Sequence, residues 1–124
     1  MKKIISTDKA PAAVGTYSQG VELNGTFFFS GQIGLDPKLM QMSLTFDGQL
    51  EQILKNIDGL LESQGLTREN IIKTTIFMTD LKDFPKVNAA YENFFTQPYP
   101  ARSCVEVSAL PKESLVEIEV IAAS

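Results

Sequence analysis

Between Asp47 and Gln64 the apolar residues Leu50, Ile53, Leu54, Ile57, Leu60 and Leu61 recur at offsets of three and four, the spacing that lines one side of a helix. Asp47 is placed to cap its start and Gly65 to stop it. The pattern predicts an amphipathic helix lying on a flat apolar surface. Gly59 within it costs about 1 kcal/mol relative to alanine, so its presence there marks close packing. A second helix opens with Asp83 as N-cap and Pro85 in the first turn, where a missing N–H is no loss. It carries Phe84, Val87, Tyr91, Phe94 and Phe95 toward Pro98, an aromatic face that must be buried.

Elsewhere the pattern shortens to that of strands. Gly20 to Asn24 and Thr26 to Gln32 flank Asn24-Gly25, a dipeptide suited to a tight hairpin because both residues tolerate positive φ. Ile71 to Thr79, Ala101 to Val107 and Leu115 to Ala122 are rich in β-branched and apolar residues. In the last, Val116, Ile118, Val120 and Ala122 form an apolar face opposite Leu115, Glu117, Glu119 and Ile121; in Ala101 to Val107, Ala101, Ser103, Val105 and Val107 alternate with Arg102, Cys104 and Glu106. Each strand thus offers a dry side for the helices and a mixed side. The order hairpin, helix, strand, helix, two strands predicts one α+β domain over residues 1–124, a mixed sheet with both helices on one face. The mixed face suits an oligomer interface better than open solvent.

Composition narrows the chemistry. The 124 residues carry a net charge of −4, and the only dense basic spot is Lys2-Lys3, so nucleic acid is disfavoured as a partner. There is one cysteine and no histidine, which excludes an internal disulfide, Ser-His-Asp and Cys-His catalysis, and most zinc catalysis; no transition metal is expected. No apolar run approaches the ~20 residues of a membrane span, and the first residues lack an apolar stretch of signal-peptide length. A soluble protein of a reducing compartment, the cytoplasm, is the expectation.

Few residues are left to carry chemistry. Arg102 is one of two arginines against nine lysines and reads either as a fork for a carboxylate or phosphate, or as the partner of Glu106 or of a glutamate on a neighbouring strand. Cys104 reads as a small buried hydrophobe whose backbone carbonyl matters more than its sulfur. Glu117 and Glu119 emerge on one strand face about 6 to 7 Å apart. Either is an ordinary surface carboxylate, or Glu117, flanked by Val116 and Ile118, has its pKa raised by desolvation as a general acid or base requires. Gly31, in Ser30-Gly31-Gln32, lets backbone approach a ligand or simply makes a turn. Tyr17 is a packing residue or takes part in chemistry, and Asn88 is exposed or hydrogen-bonded to a nearby loop.

Taken together, G-x-Y-S at Gly15 to Ser18, SGQ at Ser30 to Gln32, IIKTTIFMTDLKDF from Ile71, VNAAYENFF from Val87, PARSCVEV from Pro100 and the closing VEIEVIA resemble the Rid, or YjgF-like, family of reactive intermediate deaminases, most strongly its RidA branch. The resemblance implies a chorismate-mutase-like fold, a homotrimer with clefts between subunits, and hydrolysis of 2-imino acids, the tautomers of enamines such as 2-aminoacrylate, to 2-keto acids and ammonia without a cofactor. It implies that Arg102 clamps the substrate carboxylate and that Glu117, with the Cys104 carbonyl, activates water. Ser30 and Gly31 would lie beside the substrate, Tyr17 would wall the cleft and Asn88 would brace it. Two other functions stay open: a 2-keto-acid-binding regulator with the same cleft but no turnover, and an endoribonuclease or translation inhibitor, which the acidic balance disfavours.

Overall fold

The computed structural model describes every residue, Met1–Ser124. Its elements in chain order are β1 (Lys3–Ile5), β2 (Gly20–Leu23), β3 (Thr26–Phe29), α1 (Phe46–Ser63), β4 (Ile71–Met78), α2 (Phe84–Phe94), β5 (Ala101–Glu106) and β6 (Val116–Ala123). The strands form one sheet in the order β1-β2-β3-β6-β4-β5, antiparallel throughout except for the parallel pair β4 and β5 joined across α2. This is the mixed α+β arrangement the pattern predicts.

Local signals explain most boundaries. Asn24 and Gly25 both take positive φ, 51° and 82°, and turn the β2–β3 hairpin. Gly65, at φ 69°, ends α1 in the left-handed region. The N-cap of α1 is a correction: Thr45 Oγ1, not Asp47, accepts from the Gly48 N–H at 3.1 Å. Asp47 lies in the first turn instead, where its charge meets the positive end of the helix. Asp83 holds the N-cap position of α2 but its side chain makes no capping hydrogen bond; Pro85 lies in the first turn as expected, and the helix stops at Phe94 rather than running to Pro98. The sequence pattern does not predict strand β1, because three residues are too short to show alternation and only Ile5 is buried. It is defined by pairing, Lys3 against Glu22 and Ile5 against Gly20.

Both helices pack on one face of the sheet. Ile53, Ile57, Leu60 and Leu61 of α1 and Val87, Tyr91 and Phe94 of α2 join Ile76 and Met78 of β4 and Val116, Ile118, Val120 and Ala122 of β6 in a single cluster of 22 buried residues. Truncating one of the large side chains here to alanine costs about 2–5 kcal/mol. Gly59 earns its place by proximity: a Cβ there would run into the Lys9 carbonyl, where the N-terminal segment crosses the helix.

Strand β5 overturns one expectation. Its register sets Arg102 beside Thr74, Cys104 beside Ile76 and Glu106 beside Met78. Ile76 and Met78 point into the core, and in-register neighbours share a face. Arg102, Cys104 and Glu106 therefore lie on the helix side, and Ala101, Ser103 and Val105 on the open side, the reverse of the dry-side assignment. Neither side of this strand has a strong apolar stripe, so only the register with β4 decides. The open face then carries Lys73, Thr75 and Phe77 of β4, Glu117, Glu119 and Ile121 of β6, Phe28 of β3 and Val105 of β5. Phe28 and Val105 remain 45% and 44% exposed, so this face is mixed and apolar enough to seat a partner.

Candidate functional site

Arg102 sits at the margin of α2, where Phe84, Asn88 and Tyr91, spaced four and three apart, present one side of the helix to it. Its Nη1 donates to Asn88 Oδ1 at 2.7 Å, and its guanidinium carbon lies 5.0 Å from the Phe84 ring centre and 5.6 Å from that of Tyr91. No carboxylate of the chain pairs with it: the five ion pairs all involve other residues. Glu106, the partner weighed from sequence, instead accepts the Leu81 N–H at 2.9 Å. Burial pushes the Tyr91 phenol up to about 12, against a smaller lowering by the Arg102 charge, so this ring stays neutral. The fork keeps its positive charge uncompensated. It faces a concavity of about 440 Å³ shared with Asn88, Tyr91, Glu92, Tyr99 and Pro100.

Cys104 lies two residues along the same edge. Its thiol points at Met78 Sδ, 3.6 Å away. Burial raises the thiol pKa, outweighing the lowering by Arg102, so the sulfur is a poor nucleophile at neutral pH. The backbone is better placed. Val107 N–H donates to the Met78 carbonyl at 2.8 Å, so residues 103, 105 and 107 turn their backbone groups toward β4 and residues 102, 104 and 106 turn theirs outward. Because β5 is an edge strand, the Cys104 carbonyl is free to accept a hydrogen bond from outside the sheet.

Glu117 belongs to a second concavity of about 580 Å³, lined by Tyr17, Ser30, Gly31, Gln32, Lys112 and Glu117 among others. The segment after β3 is tied to β6 by a reciprocal pair, Gln32 N–H to the Ile118 carbonyl at 2.8 Å and Ile118 N–H to the Gln32 carbonyl at 3.1 Å. That tie lays Gly31 directly under the Glu117 carboxylate, where a Cβ would collide with Oε2. A side chain at this position would push the carboxylate aside, so glycine permits the close approach. Ser30 Oγ is held by donation to the Ser18 carbonyl at 2.6 Å. Tyr17 is 55% exposed at the rim. Glu117 is half-buried, and burial first, then the neighbouring Glu119 charge, raises its pKa above the ordinary carboxylate range.

The structure thus gathers the candidates into two groups rather than one. Tyr17, Ser30, Gly31 and Glu117 share one concavity; Arg102 and Asn88 share another, beside the edge that bears Cys104. Arg102 and Glu117 lie on opposite faces of the sheet, since Arg102 aligns with the core residue Thr74 and Glu117 with Phe77 of the open face. Glu92 and Lys112 line these concavities without being singled out by the sequence, while Gln32 and Tyr99 belong to stretches the sequence does mark, the SGQ motif and the loop before Pro100. For Glu92 a signal existed, because it follows Asn88 by one helical turn. The largest concavity, about 950 Å³, is elsewhere, around Arg68 and the loop after α2. Its cation is already held by Asp58, which leaves it without a free charged group of comparable kind. No three His, Cys, Asp or Glu side chains converge anywhere in the chain, and no helix is long and apolar enough to cross a membrane.

A six-stranded sheet with two helices on one face, and an arginine without an ion-pair partner and a half-buried carboxylate in separate concavities, define a class of small α+β proteins. Residues 7–124 match the family model described as Endoribonuclease L-PSP. A 2-iminobutanoate/2-iminopropanoate deaminase of Salmonella typhimurium is 49% identical over 125 residues, covering 98% of each chain. A solved protein of the Rid family from Yersinia pestis, described as of unknown function, superposes with a TM-score of 0.97 at 46% identity over the whole of both chains. Escherichia coli TdcF, solved with bound serine, gives a TM-score of 0.93 at 42% identity, covering 98% of each chain. The chain belongs to the endoribonuclease L-PSP, or Rid, family.

Proposed function

We propose that the protein is a 2-imino acid deaminase that hydrolyses 2-iminopropanoate, 2-iminobutanoate and related imines to 2-keto acids and ammonia, working as a homotrimer with its clefts between subunits. The observation that carries this reading is the Arg102 fork, without an ion-pair partner in the chain, facing a concavity separate from the one that holds Glu117, the carboxylate whose proton affinity burial raises. A second copy seated on the open sheet face would bring a Glu117 concavity to an Arg102 edge. The near-full-length likeness to proteins named for this activity supports the chemistry.

The steps follow from the groups present. Arg102, held by Asn88 and two aromatic rings, receives the substrate carboxylate on its free N–H donors and fixes the neighbouring imine carbon. The carboxylate of Glu117, its affinity for protons raised by burial, takes a proton from water as the water oxygen bonds to the iminium carbon. The free Cys104 carbonyl orients that water. Glu117 then passes the proton to the amine nitrogen; the carbon–nitrogen bond breaks, ammonia leaves, and the hydroxyl proton is lost as the keto group forms. Tyr17, Ser30 and Gly31 wall the substrate. No step needs a cofactor. A protonated imine is already electrophilic, so one base and one clamp suffice. The cytoplasm, where enamines tautomerise to such imines, belongs to the same reading.

The test is to generate imines in situ with an amino-acid oxidase, in the presence of semicarbazide as trap, and to follow keto acid against semicarbazone. Acceleration by the wild type, lost in Arg102→Lys, is the expected outcome; trapping unchanged by the protein would refute the reading. RNA cleavage, the activity in the family description, is opposed by the net charge of −4 and by the absence of histidine for acid–base work on phosphodiesters.

A further inference from the structure

Arg102 explains how a carboxylate is held but not which side chain may accompany it. Beyond the fork and its supports Asn88 and Tyr91, the same concavity is walled by Glu92, Tyr99 and Pro100. Tyr99 is 52% exposed at its rim and makes no contribution to the core cluster. It stands between Pro98 and Pro100, and the ring of Pro100 confines the Tyr99 backbone to extended conformations. The two flanking prolines narrow the backbone conformations open to Tyr99 at this rim. Glu92 follows Asn88 by one turn of α2, is exposed, and has no ion-pair partner in the chain.

We infer that Tyr99 and Glu92 form the wall that selects the substrate side chain, favouring uncharged apolar groups and rejecting acidic ones. This rests on the deaminase reading of the same site. The side chain of a 2-imino acid branches from the carbon next to the clamped carboxylate, so it lies within reach of whatever lines the concavity around the fork. An aromatic ring offers apolar area to an aliphatic or aromatic group. A second carboxylate on the substrate meets the uncompensated Glu92 charge, and it also competes for Arg102 in the wrong orientation. Specificity then arises from attraction and repulsion together.

The experiment compares imines made from alanine, leucine and glutamate in the trapping assay, on the wild type, Tyr99→Ala, Tyr99→Phe and Glu92→Gln. Tyr99→Ala should lower kcat/KM for the leucine-derived imine about tenfold relative to the alanine-derived one, and Tyr99→Phe should retain the preference. Glu92→Gln should raise the ratio of kcat/KM for the glutamate-derived imine to that for the alanine-derived imine severalfold. In parallel, calorimetry with 4-methyl-2-oxopentanoate, pyruvate and 2-oxoglutarate reads the same ratios as binding. If the binding ratios shift as stated but no variant turns over any imine, the deaminase reading fails and the wall assignment stands. Ratios unchanged in both assays, or falling equally for all side chains, overturn the assignment.

Discussion

Arg68 and Arg102 are the two arginines of the chain, and they are spent in opposite ways. Arg68 donates from Nε and Nη2 to the two oxygens of Asp58 at 2.9 and 2.7 Å, gives Nη1 to the Phe94 carbonyl at 3.2 Å and lies 3.9 Å above the Phe94 ring. Its hydrogen bonds to Asp58 raise its pKa further. Arg102 has aromatic support too, but its single bond goes to a neutral amide. On the proposed reading, Asp58 does to one arginine what a substrate carboxylate would do to the other. Aromatic stacking is common to both arginines, and the counter-charge present at Arg68 and missing at Arg102 is what separates them.

Four perturbations sharpen that contrast. Arg102→Lys replaces the planar fork by a point charge and should lower kcat/KM about a hundredfold or more, with little change in Tm; equal activity in the trapping assay would erase the distinction. Glu117→Gln removes the base and should cost about a hundredfold in kcat while 2-keto acid affinity, read by calorimetry, stays within a few fold. Its pH signature follows from the raised pKa. The base works only when ionised, so kcat falls as pH drops through a value above the ordinary glutamate range, and the acid limb of the rate profile should sit there. Folding stability carries the opposite sign: ionising a carboxyl whose folded pKa is raised costs stability above that pKa, and the cost disappears as pH falls below the unfolded value.

Asn88→Ala leaves Arg102 with only its rings and should raise KM about tenfold with kcat nearly retained, the mark of a positioning residue. Arg68→Ala is the smallest effect. The pair with Asp58 is 44% and 36% exposed, so its loss should cost about 1 kcal/mol or less, seen as a small fall in Tm, with kcat/KM unchanged. Activity that tracked Arg68 and ignored Arg102 would invert the assignment.

Much of the fold was legible because helix and strand periods are local. The stripe from Leu50 to Leu61, the Asn24-Gly25 turn and the apolar face of β6 each declare themselves within a few residues. The reading failed where information is nonlocal or too short. Thr45 caps α1 in place of Asp47, two residues earlier than expected, a choice between two capable side chains that only the backbone path settles. The facing of β5 depends on its register with β4, seen nowhere in PARSCVEV itself. Gly31 could be read as a turn or as a close approach, and only the Glu117 carboxylate above it decides.

What the sequence determined alone is the inventory: no imidazole, one thiol, two guanidinium groups, and alternating strands and helices enough for one sheet with a single covered face. Those follow from composition and from periodicities set by neighbouring residues. What only the tertiary structure decided is that Arg102 goes unpaired while Arg68 does not, and that Arg102 and Glu117 stand on opposite faces. The reason is physical. Charge compensation and desolvation depend on which distant segments come within a few ångströms of each other, a property of the packed chain that no local spacing encodes.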